Sequence, residues 1–213
     1  MNRIVSSPLP PSHRLRNRKL EPRKTAMLVV DVQMSEVSPE TARKYPDYVR
    51  SVHERVVPNI RRLIDELRGR GVEIVYTVME AMTKDGRDSS LDYKLSEMIY
   101  PKGGPLSKVV DGIAPGDDDI LLPKSSSGVF NSTNLDYLLR NMGIENLIVV
   151  GVLSGQCVDM AVRDGADRGY YMICVHDACA AHTEDEHIAA LRAFGGYCRL
   201  QTSEELLETF VDA

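Results

Sequence analysis

The stretch NLIVVGVLSGQCVDMAVRDGADRGYYMICV, Asn146–Val175, decides the fold. Asn146–Val152 is a continuous apolar run of strand length, Val158–Arg168 reads as a helix, and Tyr170–Val175 reads as a second strand. Strands that are apolar throughout are covered on both faces, and strands alternating with helices build a parallel sheet. Between the first strand and the helix lies only the tight turn Leu153-Ser154-Gly155-Gln156, so Cys157 opens the helix.

The same alternation runs outward from this unit. Upstream, Thr25–Val32 (TAMLVVDV) is an apolar strand. Apolar positions at helical spacing then fill Tyr48–Arg68, and Gly69 and Gly71 flank Arg70 at the helix end. Val72–Val78 and Asp119–Leu122 read as strands, and Asn134–Met142 as a helix with Ser132 and Thr133 as candidate caps. Downstream, Thr183–Phe194 is a helix opened by a capping box of Thr183 and Glu186. Tyr197–Leu200 and Ser203–Phe210 add a last strand and helix. The polar, Gly- and Pro-punctuated segment 80–118 reads as a long functional loop or lid. The expected architecture is one three-layer α/β/α, Rossmann-like domain over residues 25–213, with a six-stranded, mostly parallel sheet.

Charge sets the remaining prefix apart. Residues 1–24 carry seven basic groups against Glu21 alone, leaving −11 on the rest of a chain whose net charge is −5. An acidic body argues against nucleic acid as a partner, and residues 1–24 read as a Pro/Arg-rich arm. No stretch reaches the roughly 18 apolar residues of a membrane span. The prefix has no apolar run of the kind a secretory signal carries, and its prolines oppose an amphipathic transit helix. Four cysteines without CxxC spacing fit a reducing cytoplasm, the expected location.

In open parallel sheets, sites form beyond the carboxyl ends of strands. Three reactive side chains fall there: Asp31 after the first strand, Lys124 after the third and Cys157 after the fourth. At a helix N-terminus, free N–H groups and the macrodipole favour an anion, which is expected to lower the Cys157 thiol pKa. The same N–H groups can hold an oxyanion, at about 3–4 kcal/mol per well-placed donor. Asp31 can take the thiol proton and Lys124 can balance the charge. Each also has a structural reading: a buried small thiol, a turn-capping carboxylate (as expected for Asp177), a surface lysine.

With these residues in place, the sequence resembles the isochorismatase-like cysteine hydrolase family. VVGVLSGQCVDMAVRDGADRGY (Val149–Tyr170) is similar to its nucleophile block, TAMLVVDVQ to its aspartate strand and LPKSSSGVFNSTNLDYLLRNMGI to its lysine block. The likeness runs in family order from Thr25 to Leu200. It implies catalytic Asp31, Lys124 and Cys157, a thioester acyl-enzyme, a cis peptide at Val152–Leu153, and the N–H groups of Leu153 and Cys157 as the oxyanion hole. It also implies a small-molecule substrate and a homo-oligomer, dimer or tetramer.

Departures from the family pattern narrow the expectation. Nicotinamidases of this family bind a metal through a D-x-H pair and a second His, whereas the interval between Asp31 and Lys124 holds only His53. Glu80 stands near where a ligand is expected but is insufficient alone, so neither metal nor cofactor is expected. True isochorismatases usually lack the cysteine. Cys157 therefore points to C–N bond hydrolysis, the class illustrated by biuret, ureidoacrylate, N-carbamoylsarcosine and maleamate hydrolases. The alternatives are vinyl ether hydrolysis and a catalytically silent interaction homologue. As substrate contacts, Gln33, Glu80, Phe130 and Asn131 are candidates; Gln33 equally suits orienting the Asp31 loop. Arg87, Tyr93 and Lys94 in the lid could meet a substrate carboxylate. His182 could line the pocket rim, while His187 is expected to be structural.

Overall fold

The computed structural model describes residues 16–210. Six strands, β1 Thr25–Val30, β2 Glu73–Met79, β3 Ile120–Lys124, β4 Asn146–Val152, β5 Tyr171–Ala180 and β6 Arg199–Gln201, form one sheet in the order β3-β2-β1-β4-β5-β6. Every neighbouring pair is parallel, so the sheet expected to be mostly parallel is parallel throughout. Strand β1 is central, with Met27 opposite Ile74 on one side and Ile148 on the other. All of β1 and β4 is buried, as continuous apolar runs require.

Among the described residues nine α-helices accompany the sheet: α1 Pro39–Lys44, α2 Pro46–Ser51, α3 Val57–Arg68, α4 Leu91–Leu95, α5 Val129–Ser132, α6 Leu135–Asn141, α7 Asp159–Asp167, α8 Glu184–Phe194 and α9 Ser203–Glu208. Alternation along the strands divides the core in two. Met27 and Val29 point to the face packed by Ile60, Leu63 and Leu67 of α3 and Leu206 of α9. Ala26, Leu28 and Val30 point to the face packed by Leu135 and Leu139 of α6, Val162 of α7 and Phe194 of α8. Each fully buried Leu, Ile or Val contributes about 1.5–3 kcal/mol relative to exposure.

Where the sequence reading and the structure differ, local chemistry accounts for it. Strand β1 stops at Val30 because Asp31 takes a left-handed φ of 53° and turns the chain out of the sheet. The helix read over 48–68 is continuous in direction but carries a π-helical turn at Val52–Val56. Pro58 has no N–H to return to the preceding turn, and the Val57 N–H closes onto the Val52 carbonyl instead. Strand β5 runs past Val175 through a bulge that carries pairing from Cys174 opposite Val149 to Cys179 opposite Gly151. Within that bulge the Asp177 carboxylate accepts from the Ser203 N–H and hydroxyl at 2.8 and 2.7 Å, so it holds the first residue of α9 instead of capping its own turn. The capping box of Thr183 and Glu186 opens α8 as read.

Residues 1–15 of the basic arm lie outside the described residues. Residues 16–24 pack on the domain itself: Leu20 is buried and Arg18 pairs with Glu145 at 2.9 Å. No described helix is long and apolar enough to cross a membrane.

The strand order reverses direction between β1 and β4, which opens the crevice in which α/β sheets hold their ligands. The backbones close up there. Gly151, at φ 116°, would place a Cβ 2.1 Å from the Val30 carbonyl oxygen, so no larger residue fits.

Candidate active site

Three strands deliver the three reactive groups to this crevice. Asp31 follows β1, Lys124 ends β3, and Cys157 lies in the π-helical turn Ser154–Val158 between β4 and α7. The peptide bond entering that turn, Val152–Leu153, is cis. Lys124 Nζ stands 2.8 Å from Asp31 Oδ2 and 3.3 Å from Cys157 Sγ. It also donates to the Ser126 carbonyl at 2.9 Å and reaches the Tyr93 hydroxyl at 3.2 Å. An ammonium has three hydrogens for these four acceptors, so one hydrogen is shared. The second Asp31 oxygen, Oδ1, accepts from the Thr77 hydroxyl at 2.7 Å. Asp31, Lys124 and Cys157 are all at most 4% exposed.

Burial governs the electrostatics. It opposes the Lys124 charge, but Asp31 and Cys157 outweigh it and hold the ammonium above its usual range. The Cys157 thiol is pushed up to about 12, first by burial and then by the Asp31 carboxylate, with Lys124 offsetting part of the effect. The expectation of a lowered thiol is therefore corrected: desolvation outweighs the helix N-terminus. The thiol keeps its proton, within hydrogen-bond reach of Asp31.

A cavity of about 540 Å³ reaches the Cys157 turn at Leu153 and Gln156, with Asp31, Lys124 and Cys157 themselves outside its lining. Its inner wall is the Leu153–Gln156 turn and Ser107, and its outer walls come from the Met34–Val37 turn, α1 and the 97–106 segment. Sequence reading missed Glu36, on this wall. Tyr48 donates to Glu36 Oε2 at 2.7 Å, and Glu36 Oε1 has only a long 3.4 Å contact with the Ser35 hydroxyl. Burial pushes the Glu36 carboxyl up, and the Tyr48 hydrogen bond pulls against that. Helix α1 was legible but unread: Ser38 caps it through the Thr41 N–H, and Pro39 takes the first position.

The remaining candidates are placed as follows. Gln33 is fully buried; its Oε1 accepts from the Met79 N–H at 2.6 Å and its Nε2 donates to Leu106 O at 3.1 Å. It orients the loops above β1 and β2 and has no atom left for substrate, which corrects that assignment. Replacing Gln33 with leucine strands a buried N–H and carbonyl, at a cost of about 2–3 kcal/mol. At about 2–4 °C per kcal/mol the melting temperature is expected to fall by about 5–10 °C; an unchanged value would contradict this role. Glu80 also turns from the cavity, accepting from the Gly103 N–H at 2.7 Å. The Phe130 ring stacks on Tyr170 at 6.0 Å in the core and Asn131 is exposed; neither is part of the cavity wall.

The 80–118 segment is more structured than a bare loop. Ser90 caps α4, which carries Tyr93 to Lys124. Arg87 pairs with Asp85 at 2.9 Å, and Lys94 Nζ donates to the Arg87 carbonyl at 2.7 Å, so both are satisfied within the segment.

His182 stacks on Tyr45 with centroids 3.8 Å apart and lines the cavity; burial lowers its pKa. His187 is buried, and its Nδ1 shares a 2.7 Å hydrogen bond with Ser154 Oγ at the base of the Cys157 turn. Burial lowers the His187 pKa from 6.5 to about 4, with Arg55 and His176 adding to the shift. The unfolded chain therefore binds a proton that the native state refuses, and stability falls as pH drops from about 6.5 towards 4. His187 accounts for up to about 1.4 kcal/mol per pH unit in that window. Urea unfolding of His187→Gln is expected to show a correspondingly shallower loss between pH 7 and pH 5; an identical slope would assign the acid lability elsewhere.

Among the described residues no group of three or more His, Cys, Asp or Glu side chains is arranged to hold a metal ion. Comparison with known proteins agrees with the fold. A ureidoacrylate amidohydrolase, RutB, of Rhizobium rhizogenes is 28% identical over 176 residues, 75% of this chain and 71% of that protein. A protein of Arabidopsis thaliana named probable inactive nicotinamidase is 31% identical over 175 residues, 78% of this chain and 86% of its own. The crystal structure of a cysteine hydrolase from Pseudomonas syringae pv. phaseolicola 1448A superposes with a TM-score of 0.80 at 26% identity, covering 90% of this chain and 94% of that one. The isochorismatase domain matches residues 25–205, from the first residue of β1 into α9, and on that extent the chain belongs to the isochorismatase family.

Proposed function

We propose that the protein hydrolyses a C–N bond in a small amide, ureido or carbamoyl compound through a thioester on Cys157. The observation that carries this reading is the buried ammonium of Lys124, 2.8 Å from Asp31 and 3.3 Å from the thiol, with a cavity reaching the Cys157 turn. A structural lysine has no need of this arrangement, since a buried charge costs several kcal/mol before its partners repay it. The amidohydrolase name of the RutB relative supports the same bond class.

In the proposed cycle Asp31 takes the Sγ proton as sulfur attacks the substrate carbonyl carbon. The N–H groups of Leu153 and Cys157 hold the oxyanion, and Lys124 balances the negative charge that moves between sulfur and carboxylate. Asp31 returns the proton to the leaving nitrogen, the C–N bond breaks, and an acyl thioester remains. Water, deprotonated by Asp31, then attacks the thioester and frees Cys157.

The test is ammonia or amine release from a panel of ureido compounds, carbamoyl compounds and linear amides, with Cys157→Ser as control. Release that needs the thiol, with an acyl adduct on Cys157 by intact-protein mass, is the expected result. No release from any of the three classes, or release undiminished in the serine variant, would overturn it.

A further inference from the structure

The charge of the cavity bears on what can enter it. Glu36 lies on the cavity wall, close enough to Asp31 and Lys124 to feel both. Among the described residues it has no basic side chain within ion-pair distance. Its Oε2 is held by Tyr48 at 2.7 Å, which fixes the carboxyl group in place. Its Oε1 keeps lone pairs for a ligand, the Ser35 hydroxyl being 3.4 Å away.

The charges at the mouth do not reverse this. Glu40 and Glu97 are acidic. The one lysine on the wall, Lys44, is exposed, and its ammonium lies 5.1 Å from the centroid of the Tyr45 ring. Exposed charges are screened within a Debye length of about 8–10 Å, whereas the half-buried Glu36 carboxylate is screened less. Among the described residues no arginine lines the cavity, so none of them offers the bidentate donor that best holds a substrate carboxylate.

From this geometry we infer that Glu36 selects substrates: the cavity takes small ureido or amide compounds whose far end is a cation or a cluster of N–H donors, and rejects those ending in a carboxylate. The inference rests on the proposed hydrolysis only for where the scissile carbonyl lies. With that carbonyl at Cys157, the far end of a short substrate meets Glu36, where an ammonium or guanidinium gains a charge-assisted hydrogen bond. A carboxylate at the same place faces like charge in a partly desolvated site, and such placements discriminate strongly.

The experiment uses three ureido probes of equal length that end in an ammonium, a methyl or a carboxylate group. Calorimetry on Cys157→Ser reads their binding, and ammonia release from the wild type reads their turnover. The ammonium probe is expected to bind at least about tenfold more tightly than the carboxylate probe. In a Glu36→Gln/Cys157→Ser double variant that ratio is expected to fall by at least about tenfold. Each ratio is taken within one protein, so a partly unfolded preparation lowers both values and leaves it unchanged.

Equal binding of the ammonium and carboxylate probes, tighter binding of the carboxylate probe, or a ratio untouched by Glu36→Gln would overturn the assignment. The two proposals fail separately. Charge-ranked binding without ammonia release removes the hydrolase reading and keeps Glu36 as the selector. Release fastest from the carboxylate probe keeps the hydrolase and removes the selector.

Discussion

Replacing Cys157 with serine is expected to lower kcat/KM for the best amide substrate by at least about 10⁴-fold while leaving the fold intact. Loss of a nucleophile that works as a unit with its base is of this order or larger. The thiol is 4% exposed and is packed by Val158 and by neighbours on the α7 face, so an oxygen slightly smaller than sulfur enters without strain. A melting temperature within a few degrees of the parent is therefore expected, and it separates chemical loss from unfolding.

The thiol offers more than its size. With its pKa pushed up to about 12, Cys157 is protonated at neutral pH, and in the proposed cycle its proton moves to Asp31 as bond formation begins. A serine hydroxyl is harder still to deprotonate, and the single buried carboxylate cannot make up the difference. Turnover within about tenfold of wild type would mean that sulfur forms no bond to the substrate, and water would then be the attacking group.

The strand ends were legible because their signal is local. A run such as Leu147–Val152 cannot be solvated, its length fits a strand, and the residue after it must stand at the sheet edge. That logic located Asp31, Lys124 and Cys157 from residues far apart in the chain. It could not locate Glu36. This residue lies in the four-residue 3₁₀ turn Met34–Val37, which has no periodicity to read, and it faces the cavity only because Tyr48 of α2 holds it there.

The direction of the thiol shift failed for a similar reason. A helix N-terminus is visible in sequence, but the depth of burial that overrides it is a property of the packed domain. Gln33 shows the reverse case. Its place after Asp31 suggested either substrate or loop, and only the Met79 and Leu106 backbone groups, 46 and 73 residues away, decide for the loop.

Lys124→Met is expected to cost both stability and activity, and a double variant separates the two. Removing the ammonium leaves Asp31 at 1% exposure with the neutral Thr77 hydroxyl and Cys157 thiol beside its side chain. Breaking one partner from a buried pair costs about 3–5 kcal/mol, because the charge left behind is uncompensated. At about 2–4 °C per kcal/mol, the melting temperature is expected to drop by about 10 °C or more. Adding Asp31→Asn removes that stranded charge, and replacing a whole buried pair by neutral groups of similar size is often close to neutral.

The double variant Asp31→Asn/Lys124→Met is therefore expected to recover most of the lost stability, with a coupling energy of about 2 kcal/mol or more in the mutant cycle. Its turnover should remain as low as that of Asp31→Asn alone, down by about 10⁴-fold, since loss of an orienting or proton-carrying carboxylate costs that much in comparable triads. Stability returning without activity would show that the pair's contribution to the fold is dispensable and that it is kept for its chemistry. If the two single losses simply added, the 2.8 Å contact would carry no coupling, and Lys124 would act on the thiol independently of Asp31.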